Sequence, residues 1–214
     1  MVKAVEEPDE RLVLDGVISP GEYVFIWTFN SGNLEVHWKI VGDEIAIALW
    51  VNSTGWVSLG IDPTSQMKDA DMILAWVDGE GGVHIFDAFA TGPTGPHPPD
   101  MSLGGTDDIL EYGGREVGQA TVIEFTRQLR SDDERDRDIP ANGPVTIIWA
   151  YSSQDDFDAV HSARGTETLI MDQLQDTGGD GDDDDGDDEG IIPFIPVPFI
   201  LLGFMVAALL SRRE

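Results

Sequence analysis

The sequence contains no cysteine. Disulfides, thiolate metal centres and cysteine nucleophiles are therefore all excluded. Positive charge is also scarce: 12 Lys and Arg stand against 41 Asp and Glu, for a net charge of −29. The lysines are three, Lys3, Lys39 and Lys68. A chain without a basic footprint cannot grip a phosphate backbone, so nucleic acid is not expected as a partner. Part of the acidity is local, because the tract Asp180 to Glu189 carries eight acids, yet residues 1–177 still hold 32 acids against 10 basic groups. Such a surface keeps a protein soluble and repels other anionic macromolecules. Hydrolase signatures are missing as well, with no GxSxG, no HExxH and no phosphate-binding loop. A calcium loop is not readable in SDDERDRDI, which lacks the glycine and the closing glutamate such a loop needs.

What remains is a β-pattern. With 214 residues and 41% hydrophobic content, the chain can build one domain with a real core. Runs rich in β-branched and aromatic residues occur at 23–30, 34–41 and 44–51, separated by Ser31-Gly32-Asn33 and Gly42-Asp43. Those separators are hairpin turns in waiting. Further runs follow at 55–61, 71–77, 83–89, 119–126 and 145–151, at the spacing of a sandwich. No stretch sustains a 3.6-residue apolar period, so helix content should be low. The expected fold is all-β, an immunoglobulin-like antiparallel β-sandwich of about 9–11 strands.

Four boundaries follow from composition. Residues 1–11 are polar and acidic, without the apolar run of a signal peptide. Residues 12–175 form the sandwich. Residues 176–190 are an acidic, glycine-interrupted tract that can bury nothing and is expected to be a disordered linker. Residues 191–210 carry no charge and match the thickness of a bilayer core, so a transmembrane helix is expected, with 211–214 as a basic tail. Pro193, Pro196 and Pro198 interrupt its first half. The segment also resembles the C-terminal sorting signals of archaeal surface proteins, which are cut after recognition. Arg212 and Arg213 place the tail in the cytoplasm and the domain outside the cell membrane.

One methionine and one histidine stand out. Met67 lies in a polar loop, between Gln66 and Lys68, with no core to fill. His161 lies far downstream in FDAVHSARGTETLI. Brought together across a fold, a Met and a His make the axial pair of an electron-transfer haem. On spacing alone, an exposed loop methionine and a surface histidine are the commoner explanation.

The stretches DGVISPGEY, LEVHWKIVGDEIAIALWVNSTGWVSLGI and MKDADMILAWV resemble the DOMON family, named after the N-terminal domain of dopamine β-monooxygenase. The match continues through VHIFDAFATGPTGPHPPD, TVIEFTRQLRSDDERDRDI, VTIIWAYSS and VHSARGT, over about residues 12–172. The resemblance implies a β-sandwich. Several members bind haem b through one Met and one His, while others bind sugars or have no established ligand. The positions that fit the haem pattern are Met67, in the loop after GWVSLGI, and His161, just before an ARG turn. Without cysteine, attachment is noncovalent. Trp56, Trp76, Phe89 and Trp149 are expected to line the haem slot, and Arg164 to pair with a propionate.

Other candidates have plainer readings. Met72 shares a strand face with Leu74 and Trp76, which makes core packing its default. Met101 and His97 sit in loops, His97 in a proline-rich one with a structural role as its plainer reading and the border of a ligand pocket as its alternative. These two are next in line as sixth ligand should Met67 fail. His37 and His84 lie in strands where a rim position suffices. The expected function is a membrane-tethered, extracytoplasmic b-type cytochrome domain that passes electrons to an unidentified redox partner and is not an enzyme. The alternative is a carbohydrate or small-ligand binding module on a cell-surface stalk, without haem.

Overall fold

The structure, a computed structural model, describes residues 12–156 and 159–173. Ten strands run in the order β1 (Phe25–Phe29), β2 (Leu34–Val41), β3 (Glu44–Val51), β4 (Val57–Ile61), β5 (Asp71–Val77), β6 (Val83–Phe89), β7 (Ile109–Val117), β8 (Ala120–Gln128), β9 (Pro144–Tyr151) and β10 (Ala163–Ile170). They form two five-stranded sheets, β1-β2-β3-β8-β7 and β10-β9-β4-β5-β6, in which all the pairings are antiparallel. Apart from 3₁₀ turns at Asn30–Gly32 and Asp100–Leu103, no helix occurs among the described residues. The all-β expectation stands.

Alternation explains why these residues are strands. In β2, Leu34, Val36 and Trp38 are buried while Glu35, His37 and Lys39 are half-buried. The buried set faces its counterparts from the other sheet. Val36, Trp38, Ile47 and Phe125 pack with Leu59, Ile61, Ile73 and Ile147 in a single apolar cluster. Each such side chain contributes roughly 1.5–3 kcal/mol on burial. The Trp38 indole N–H donates to the Met171 carbonyl at 2.9 Å, which pins the end of β10 against β2. Between β2 and β3, Gly42 takes the positive φ of +62° that the tight turn demands.

Two strands, β7 and β10, escaped the sequence pattern. Both are sheet edges. ILEYGGREV and ARGTETLI carry charged residues and glycine in place of an apolar run, unlike the other edge strands β1 and β6. The expected ARG turn after His161 is therefore corrected: Ala163, Arg164 and Gly165 open β10.

Conversely, β4 and β5 are buried on both faces except at Trp76. Something must cover the outer face of the second sheet, and that cover builds the site described below. The N-terminal segment before Leu12, the acidic linker, the apolar segment and the basic tail lie outside the described residues. Among the described residues, no helix is long and apolar enough to cross a membrane.

Candidate functional site

Register decides which side chains meet on that outer face. Successive residues of a strand point to opposite sides. The pairings therefore align Arg164, Ala150, Ser58, Leu74 and Phe86 in one row across the second sheet. The next row is Thr166, Ile148, Gly60, Met72 and Ala88. The middle of the sheet thus carries small residues, which leaves open space above it. Gly60 is required there, because a Cβ would lie 2.6 Å from Ile148 Cγ1.

Above this floor lies a cavity of about 400 Å³, within the range of pockets for small organic ligands. Two loops wall one end. In the first, Lys68 N–H donates to Ser65 O at 3.0 Å and Ala70 N–H donates to Met67 O at 3.1 Å. Gln66 and Asp69 adopt positive φ, at 55° and 60°, which folds the loop back on the sheet. Met67 is thereby packed against Ala70, Met72, Leu74, Ala88 and Ala90. In the second loop, Thr91 N–H donates to Pro96 O at 3.0 Å and Phe89 N–H to Pro98 O at 3.1 Å. Asp69 N–H to Ala90 O (2.7 Å) and Ala90 N–H to Ala70 O (3.0 Å) brace the two loops together. His161 arrives from the other end. It precedes Ala163, which pairs with Tyr151, which in turn pairs with Val57 at the start of β4.

Five of the seven expected site residues line this one cavity: Met67, His161, Trp56, Trp149 and Arg164. Trp149 belongs to the inner face of β9 and reaches the cavity at Gly165, where its indole occupies the space a Cβ would take. Arg164 is exposed at the rim. The expectation for Phe89 is corrected by parity. It shares the inner face with Asp87, on the far side of β6 from Ala88, and lies between the guanidinium groups of Arg135 and Arg137 at 5.5 Å each. The expectation for Trp76 is corrected by position along the strand. It is on the correct face but one pleat beyond Leu74, stacked on His84 at 4.7 Å and Phe86 at 5.7 Å.

Sequence reasoning undervalued two lining residues. Met72, assigned to core packing, lies in the cavity floor. His97, assigned to a structural loop, lines the cavity and also an adjoining one of about 140 Å³ with Leu74, Phe86, Ala88 and Pro99. The signal was available in its flanks, since Pro96 and Pro98 fix a loop directly after β6. Met101 is 70% exposed and does not line the cavity.

A second polar centre lies on the inner face of the same strands. Arg127 Nη1 donates to Asp71 Oδ2 at 2.5 Å, and the Arg137 N–H donates to the same oxygen at 2.9 Å. Asp108 N–H donates to Asp87 at 2.7 Å. One guanidinium thus faces several carboxylates. Burial, with Asp71 and Asp100 as like charges, pushes Asp87 up to about 7. Burial pushes Asp100 up to about 7 and, together with Asp108, Asp136 to about 8. Burial also raises Asp71, against the opposing pull of Arg127.

The residues around the outer cavity fit a haem. A thioether and an imidazole enter from opposite ends of β4, the floor is small and apolar, and a cationic side chain stands at the rim. A thioether and an imidazole are donor types that would suit the iron of a haem held there. Fold and site together define a β-sandwich with a cofactor-sized pocket on the outer face of a sheet.

The chain belongs to the DOMON domain family, whose model matches residues 30–152. It is 33% identical over 146 residues to DBH-like monooxygenase protein 1 of Homo sapiens, covering 66% of this chain and 23% of that protein. It is 28% identical over 142 residues to Protein Skeletor, isoforms B/C, of Drosophila melanogaster, covering 59% of this chain and 18% of that protein. The chain thus spans less than a quarter of either relative. Among solved structures, the fold is similar to the cytochrome b domain of pyranose dehydrogenase from Coprinopsis cinerea, with TM-score 0.54, 18% identity, and 68% and 80% of the two chains covered. It is also similar to the cytochrome domain of Myriococcum thermophilum cellobiose dehydrogenase, with TM-score 0.52, 13% identity, and 68% and 81% covered.

Proposed function

We propose that this domain binds one haem b noncovalently, with Met67 and His161 as axial ligands, and passes single electrons. The observation that carries the reading is the convergence of Met67 and His161, 94 positions apart in sequence, on one cavity with an apolar floor. Such a haem supplies reversible one-electron chemistry at a raised potential and leaves no open position for substrate. The protein's own part is to hold the ring against Met72, Leu74 and Ile148, to exclude water with Trp56 and Trp149, and to offer Arg164 to the propionates. The two structural neighbours named as cytochrome domains favour this reading. The relatives named as monooxygenases are enzymes of more than four times the matched length, so we assign this chain electron relay and not bond-making catalysis.

We also propose that the domain faces the cell exterior and is tethered by residues 191–210, with a redox partner at the membrane surface. An impermeant protease applied to intact cells should remove it, and its survival would reverse the orientation. For the haem itself, the full chain is purified in detergent and mixed with equimolar haemin. Sharp low-spin bands on reduction are expected, and His161→Ala should lose most of the haem. A wild-type protein that takes up no haemin would leave the cavity to a sugar or other small ligand.

A further inference from the structure

We infer that His97 is a reserve axial ligand, placed to bind the haem iron when Met67 lets go, an inference that rests on the haem reading above. The cavity holds two imidazoles, His97 and His161, where a Met/His centre uses one. The topology says which ligand His97 would compete with. The loop of Met67 leads into Asp71, the loop of His97 leaves from Phe89, and Asp71 and Phe89 are paired partners at one end of the sheet. The same two loops are tied by the hydrogen bonds between Asp69, Ala70 and Ala90. His161 comes from the opposite end, beyond Val57. His97 therefore stands on the Met67 side.

It is also held there. Pro96 O and Pro98 O, on either side of it, accept hydrogen bonds from Thr91 and Phe89, so its backbone is fixed to the sheet edge. Met72 is not an equivalent reserve, because it is 4% exposed and packed into the floor within a strand. In the exchange the bond from Met67 Sδ to the iron would break and one from the His97 imidazole would form in its place, with no change in oxidation state. Imidazole suits the harder ferric ion and thioether the softer ferrous ion. The pocket would then run as Met/His when reduced and shift toward His/His when oxidised, with a lower potential in the second state.

Three variants in the full chain test this, each loaded with haemin and read by electronic absorption and electron paramagnetic resonance. Met67→Ala is expected to stay low-spin in the ferric state with a bis-imidazole signature and a lowered potential. Met67→Ala/His97→Ala is expected to turn high-spin or take water. His97→Ala alone is expected to show a stronger ferric thioether charge-transfer band than the wild type, in which His97 competes with Met67, and an unchanged band overturns the inference. Near-ultraviolet dichroism verifies that all three are folded. A high-spin Met67→Ala overturns the inference while leaving the haem reading intact. So does a His97→Ala protein that loses its low-spin centre, since His97 would then be the resident ligand. Failure of the wild type to take up haemin overturns both readings together.

Discussion

Asp71 and Met72 are consecutive residues, and they point into two different chemistries. Asp71 faces inward to a buried guanidinium and a crowd of carboxylates, and Met72 faces outward to an apolar floor. The inner centre is crowded but incompletely satisfied. Arg127 and the Arg137 N–H meet Asp71 Oδ2. Asp71 Oδ1, Asp87 Oδ1 and both Asp100 carboxylate oxygens are buried without a hydrogen-bond partner among the described residues, and Asp71, Asp87 and Asp136 each offer an oxygen within 4.8 Å of the others. The outer centre is open, because small residues at Ser58, Gly60, Ala88 and Ala150 leave room above them. One strand thus carries structural polarity on one face and a ligand cavity on the other. The difference teaches that buried charge and an open apolar cavity are separate features of this sheet, set on its two faces. The more perturbed carboxylates lie on the inner face.

That contrast is breakable. The largest effect is expected from Arg127→Leu, which removes the charged partner of Asp71 and leaves it only the Arg137 N–H. A loss of about 3–5 kcal/mol in urea unfolding is expected, and a loss under 1 kcal/mol would mean that the inner centre does not hold the sheets.

Acidity gives the next effect. Asp87, Asp100 and Asp136 have folded values of about 7, 7 and 8, above the ordinary Asp value near 4. The folded protein therefore holds more protons than the unfolded chain between pH 4 and 8. Stability should fall as pH rises through that window and level off above it. Thermal melts across the window measure the slope. Asp87→Asn should flatten it, and a slope unchanged by that variant would contradict the assignment.

Gly60→Ala probes the outer face. Its Cβ would press on Ile148, so a cost of about 1–3 kcal/mol is expected, together with weaker haem uptake by titration. If haem uptake were untouched, the floor would not be part of the binding surface. The smallest stability effect belongs to His161→Ala in the haem-free chain, within about 0.5 kcal/mol. A larger loss would turn His161 into a packing residue and erase the distinction between the two faces.

The fold was largely legible because most strands are runs of β-branched and aromatic residues bounded by turns, alternating in β2 and near-continuously apolar in β3 and β5. The bounds of β2, β3, β5 and β6 coincide with the runs read from sequence. Strands β7 and β10 were not legible, since ILEYGGREV and ARGTETLI carry charged residues and glycine in place of an apolar run, unlike the other edge strands β1 and β6. For the site, Met67 and His161 were readable as odd residues in polar settings and as matches to a family pattern. Phe89 was misplaced by one residue of parity, and Trp76 by one step along the strand.

By itself, then, the sequence determined the all-β character, the family, the noncovalent mode of any haem and the candidate ligand pair. Those are properties of composition, period and motif order, and they survive without coordinates. Tertiary structure decided that Met72 lines the floor, that His97 stands on the Met67 side, and that the buried carboxylates form a separate centre. Each of those depends on which strands are neighbours and in what register, and register is set by long-range pairing such as β4 with β9. No local pattern carries that information, because a strand's two faces look alike until its partners are known.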